Sequence, residues 1–250
     1  MPTDRFPVVT VALIVANVLM YFLFQRAGIL AGPNEANVIE YGAIPYEISN
    51  PGAECEAAGQ RIACEGMPGV SGEADPQAPT WLTLFTSMFM HGSLLHIAGN
   101  MLFLWIFGNN IEDSMGRVKF LLFYLGGGVA ALLAQVAVGP DAAVPTVGAS
   151  GAVSAVLGGY LLLYPRARVV TAIFIVFFFT LIELPALLVL GFWFVQQLLF
   201  GYFDLNQPTG GGGVAYFAHI GGFVFGMALI HLLAHRRKTP PPRPQPRFAY

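Results

Sequence analysis

The chain has 250 residues, of which 56% are apolar, 13% aromatic and only 10% charged, with a net charge of −2. Soluble domains carry roughly 25% charged residues, so this composition excludes an ordinary soluble protein and implies a chain that spans a membrane several times. Without a cofactor fingerprint, clustered metal ligands or a basic stripe, no cofactor, no metal and no nucleic acid is expected as a partner; the lipid bilayer is.

Met1-Pro2-Thr3-Asp4-Arg5 runs into apolar sequence with no small-residue cleavage site, so residues 1–7 read as a short cytoplasmic N-terminus before a retained first span, 8–24. A polar first loop, 25–80, follows and holds eight of the fourteen Asp and Glu residues and both cysteines, Cys55 and Cys64. These two can pair if the loop is extracytoplasmic. A second span is expected within 81–107, a third within 118–138 and a fourth over 150–164. The apolar tract 169–202 is broken by Glu183-Leu184-Pro185 and reads either as two spans or as one span preceded by an interfacial piece. The last span covers 214–233, and a proline-rich tail, 239–250, reads as cytoplasmic and disordered.

Parity decides the ambiguous tract. With six spans, Arg5, Arg117, Lys119, Arg166, Arg168, Arg236, Arg237, Lys238, Arg243 and Arg247 share one side, against Arg26 and Arg61 on the other. Seven spans would break that positive-inside pattern. The expected fold is therefore all-α and polytopic, six transmembrane helices over 8–238 with an extracytoplasmic loop 25–80. Both termini are expected in the cytoplasm and the protein in the plasma membrane.

Topology also sets depth. Span four has only fifteen residues, about 22 Å at 1.5 Å per residue, in a core about 30 Å thick. Pinned by Arg166 and Arg168 at its inner end, it places Ser150 below the outer surface. His219 lies at a similar depth in the last span. Counted back from Asn109, His96 falls in the outer third of span two and Asn100 near the midplane. Gly151, Ala155 and Gly159 recur every fourth residue, as do Ala218, Gly222 and Gly226. Small residues at that spacing let helices approach closely, and facing seams would bring Ser150 to His219.

A lone serine in an apolar helix ordinarily bonds back to its own backbone. Beside an imidazole it becomes a candidate nucleophile, with histidine as base. At the start of its helix, Ser150 leaves unpaired N–H groups nearby, and His96 and Asn100 share one helical face and can donate hydrogen bonds. His91 falls on a different face and reads as structural. No acid obviously orients His219, Glu183 and Asp204 being the candidates, so a dyad is the economical reading.

These residues resemble the rhomboid family of intramembrane serine proteases, of bacterial type, over nearly the whole chain after the first loop. The segment from His91 through His96 to Asn100 is similar to the family's second-span motif, and Gly148-Ala149-Ser150-Gly151 to its GxSG. Ala218-His219-Ile220-Gly221-Gly222 through Gly226 matches the last-span AHxGGxxxG pattern. Glu112, Gly116 and Phe120 fit its Glu-x3-Gly-x3-Phe signature. The resemblance implies an endopeptidase that cuts transmembrane protein substrates near the outer face. In it, Ser150 is nucleophile, His219 base, and His96, Asn100 and the Ser150 N–H hold the oxyanion. Span five, about 186–202, is then the candidate gate for substrate. The chain departs from the pattern at Ser154, where many members carry an aromatic that packs on the catalytic histidine; Phe217, Tyr216 or another aromatic has to substitute. It also lacks an obvious Trp-Arg pair in the first loop. A non-catalytic membrane-protein binder and a small transporter are the competing readings. The first typically lacks the serine or histidine, and the second expects polar groups through the whole depth.

Overall fold

The computed structural model describes residues 3–29, 31–59, 61–175, 178–206 and 213–235. Its helices begin with α1 (Val8–Leu19), continued by a π-helical turn to Phe24, and two short loop helices, α2 (Glu35–Tyr41) and α3 (Pro45–Ser49). A hairpin of β1 (Cys55–Ala58) and β2 (Arg61–Cys64) follows, and then α4 (Thr80–Thr86). Next come α5 (Leu94–Phe103), a π-turn, and α6 (Asn109–Met115), which together form one continuous helix, then α7 (Arg117–Val138) and α8 (Ser150–Leu163). A second hairpin, β3 (Arg168–Ile175) and β4 (Phe178–Pro185), precedes α9 (Ala186–Asn206) and α10 (Tyr216–Leu233). Among the described residues, four helices are long and apolar enough to cross a membrane: Leu94–Met115, α7, α9 and α10. Val8–Phe24 and α8 are apolar but shorter. The expected tail 239–250 and the cations from Arg236 onward lie outside the described residues.

Two expectations change. The chain is mostly helical but not all-α. The first half of the ambiguous tract is an antiparallel hairpin with Arg168 opposite Pro185 and Ile175 opposite Phe178. β-Branched residues at Val169, Val170, Thr171 and Ile173 favour that pleat, and Arg168 pairs with Glu183 across it at 3.6 Å. Span two also starts later than expected. Residues 80–89 form α4 and a 3₁₀ turn, and the chain breaks at His91-Gly92-Ser93 before Ser93 caps α5 by accepting from the His96 N–H at 3.1 Å. The helix then runs to Met115, with Asn100 in its second turn.

The centre of the bundle is α8, whose residues from Gly151 to Tyr160 are all buried. It packs against α10 with almost no side chain between. A Cβ on Gly158 would fall on the Phe223 carbonyl, one on Gly222 on the Gly151 carbonyl, and one on Gly226 on the Ala155 carbonyl. The small-residue seams do face each other, as helices drawn together without a hydrophobic drive require. Outward faces stay apolar, with Leu23, Leu122, Phe192 and Leu232 all exposed, as suits contact with lipid.

Polar bonds tie the first helix and the loop to this centre. Glu112 accepts from the backbone N–H groups of Val9 and Thr10, at 3.0 and 2.8 Å, and from the Thr10 hydroxyl at 2.7 Å. It thereby satisfies the open first turn of α1. At the other end, the first loop bridges the α7–α8 connection through Ala43 and Thr146, and the Tyr46 N–H reaches the Ala142 carbonyl. Cys55 and Cys64 form a disulfide across the first hairpin. Beside it, Glu47 is buried with Oε1 unpaired. Burial, and secondarily the charge of Glu54, pushes its carboxyl up to about 7.

Two outcomes follow from this packing. Gly158→Val should cost about 1–3 kcal/mol or more, because the obstacle is backbone and cannot turn aside; thermal unfolding in detergent reads it. The folded state favours the neutral Glu47 carboxyl, so its contribution is complete below the ordinary carboxylate range and is lost as pH rises through about 7. Amide exchange over α3 should accelerate from about pH 5 to about pH 7 after correction for intrinsic rate and then level off, a change that Glu47→Gln flattens.

Candidate active site

Close approach of α8 and α10 puts Ser150, the first residue of α8, opposite His219 in the first turn of α10. His219 Nε2 lies 2.9 Å from Ser150 Oγ. Both residues are half-buried. The first bond within α8 runs from the Val153 N–H to the Ala149 carbonyl, so the N–H groups before it, Ser150's among them, have no helical acceptor. No side chain caps α8.

The approach to Ser150 is held in place by what surrounds it. The Gly148 N–H bonds the Ser87 carbonyl at 2.9 Å, and the Ala149 N–H points to His91 Nε2 at 3.5 Å. Fully buried His91 is fixed in turn by Gln25, which accepts from its N–H and donates to its carbonyl. Gly148 has φ of +133°, and a Cβ there would lie 2.9 Å from His96 Nε2 and 3.5 Å from Ser150 Oγ. The same point is thus flanked by His96 and the serine, and only a residue without a Cβ fits. Asn100, one turn beyond His96 on the same face, is buried with Nδ2 unpaired. Gly151, Gly222 and Gly226 belong to the helix seam, Glu112 holds α1, and Gly116, at φ +86°, makes the turn between α6 and α7.

Two neighbours of His219 were not foreseen. His219 Nδ1 lies 2.8 Å from Gln197 Oε1 on α9, and the Trp193 ring, one turn earlier on that helix, packs at 5.8 Å between centroids. Trp193 supplies the aromatic missing at position 154, where Ser154 instead donates to the Ser150 carbonyl at 2.6 Å. Neither acid considered for His219 makes this contact: Glu183 faces Arg168, and Asp204 lies two turns further along α9. Trp193 and Gln197 lie four residues apart on one helical face, but so do Phe192 and Gln196, and nothing local singles out the first pair. Gln135 was also missed; it accepts from the Ala218 N–H at 3.2 Å and serves as the cap that Ala215 cannot supply. Among the described residues, no three His, Cys, Asp or Glu side chains group so as to hold a metal ion.

The same stretch of chain is what known proteins share. Residues 78–236 match the model of the rhomboid domain. The chain belongs to the rhomboid family. It is 30% identical over 167 residues to the presenilin-associated rhomboid-like protein A, mitochondrial, of Danio rerio, covering 64% of this chain and 40% of that protein. Rhomboid protein 1, mitochondrial, of Saccharomyces cerevisiae is 29% identical over 150 residues, covering 58% and 40%. Rhomboid protease GluP of Bacillus subtilis is 37% identical over 81 residues, covering 32% and 15%. The chain thus spans about two-fifths of the length of the first two relatives or less of the third. These relatives correct the expected plasma-membrane location: those matched over the longest stretches are named mitochondrial, and charge asymmetry distinguishes the sides of a membrane, not one membrane from another. The multi-pass membrane character stands.

Gly148→Ala should destabilise the protein by about 1–3 kcal/mol through strain at positive φ and collision with His96. Gly99→Ala, where a Cβ meets nothing, should be neutral or slightly stabilising. Paired thermal melts separate the two.

Proposed function

We propose that this rhomboid is an intramembrane serine endopeptidase acting on transmembrane protein substrates through a Ser150–His219 dyad. The observation that carries this reading is the 2.9 Å contact between His219 Nε2 and Ser150 Oγ, with both residues half-buried. The hydroxyl donates to Nε2, which takes its proton as Oγ attacks the scissile carbonyl. The tetrahedral oxyanion is received by the Ser150 N–H, the unpaired Asn100 Nδ2 and His96. His219 then protonates the leaving amine, and water releases the acyl group.

The matching topology is six spans, with Val8–Phe24 and α8 counted beside the four longer helices. In this reading residues 8–238 form one domain, and loop 25–80 with its disulfide shares the Ser150 face. The short α8 favours it, since a fourteen-residue helix of about 21 Å leaves its first residue within reach of water. Substrate enters between α9 and its neighbours.

The test is cleavage of a single-span substrate in liposomes, together with labelling by a fluorophosphonate. Wild type should cut and label, and Ser150→Ala and His219→Ala should lose at least about 10³-fold in rate. Asn100→Ala should lose about 10²-fold with the fold intact. A folded wild type that neither cuts nor labels would instead favour a non-catalytic membrane-protein binder.

A further inference from the structure

The base of the proposed dyad is held from a third helix. Gln197 is buried on α9, and its Oε1 meets His219 Nδ1 at 2.8 Å, while Trp193 covers the same ring. A carboxamide oxygen only accepts, so this contact puts the imidazole proton on Nδ1. Nε2 then carries the lone pair, which is the arrangement needed to accept the Ser150 proton. The opposite tautomer would present N–H to the hydroxyl and leave the base unable to act. His96, on α5, is the other titratable side chain that bears electrostatically on His219. Gln197 is neutral, so it selects a tautomer without adding charge to the site.

We infer that Gln197 is a positioning residue: through its hydrogen bond to Nδ1 it fixes the tautomer and ring orientation in which His219 faces Ser150. This rests on the protease reading for its kinetic consequence, but not for the tautomer itself. It also ties the dyad to the seating of α9. Of the four long helices α9 is the least buried, so the orienting group is carried by the helix with the largest outward-facing share.

The experiment compares wild type, Gln197→Met and Gln197→Glu in full-length protein, with Ser150→Ala as the inactive control. Methionine keeps the volume and removes the acceptor; glutamate keeps the acceptor and adds charge. Histidine ¹⁵N spectra should show the Nδ1–H form of His219 in wild type and a mixture in Gln197→Met. Cleavage by Gln197→Met should fall about 10–100-fold in kcat, with KM within about twofold and the melting temperature little changed. Gln197→Glu should recover most of the rate at alkaline pH, with the acidic limb of the pH–rate profile displaced upward by about one unit, because a carboxylate there stabilises the imidazolium. Wild-type kcat in Gln197→Met, or an Nε2–H form in wild type, overturns the proposal. So does a parallel loss of stability and rate in both variants with the acidic limb unmoved, which is the signature of packing alone. If wild type cuts nothing, the protease reading fails separately, and the spectra still decide the tautomer.

Discussion

The contact of α8 with α10, backbone against backbone, sets the position of everything that bears on Ser150. Gly158, Gly222 and Gly226 each face a carbonyl of the opposing helix. Helices in lipid gain little from burying apolar side chains against one another, so approach close enough for dispersion and weak C–H contacts is the main attraction. Such an interface has almost no slack, because no flexible side chain separates the two backbones. Ser150 and His219 stand at its end, and their separation is inherited from the glycines below them. The loop pieces add the finishing constraints. Gln25 holds His91, His91 meets the Ala149 N–H, and Ser87 holds Gly148.

Much of this is legible in the residues. Small residues four apart on two segments announce a close helix pair, and a serine and a histidine beside those seams must then meet. The span boundaries at 8–24, 118–138 and 214–233 lie within about two residues of the helices, because lipid demands unbroken apolar runs. Legibility fails where tertiary context decides. Gln197 stands in the run Val195-Gln196-Gln197-Leu198, and nothing local says which amide faces inward. The hairpin over 168–185 has the apolar content of half a span, so its strand pairing depends on contacts that hydropathy does not encode. The late start of the second span turns on Ser93 as a cap, a local signal outweighed by the apolar residues before it. Which membrane holds the protein is not a property of the spans at all.

Among the described residues a carboxamide and not an acid bonds His219 Nδ1, and this has a physical rationale. A carboxylate in a bilayer is costly unless paired, whereas a carboxamide directs one proton without bringing a charge. Trp193 adds an apolar wall on the ring, and Phe223 extends it, stacking on Phe194 with centroids 4.4 Å apart. Two side chains of α9, Trp193 and Gln197, therefore flank the imidazole, although its own backbone belongs to α10.

Glu112 has a consequence for how the molecule is made. It closes the first turn of α1 from 102 residues further along the chain. At about 5–20 residues per second, a ribosome delivers Glu112 roughly 5–20 s after that turn has been synthesised. For that interval α1 has open N–H groups at its start and no partner for Thr10, so water or lipid headgroups must serve. Helix α1 is thus fastened well after it is made, and a nascent chain stalled before Glu112 would hold it only loosely.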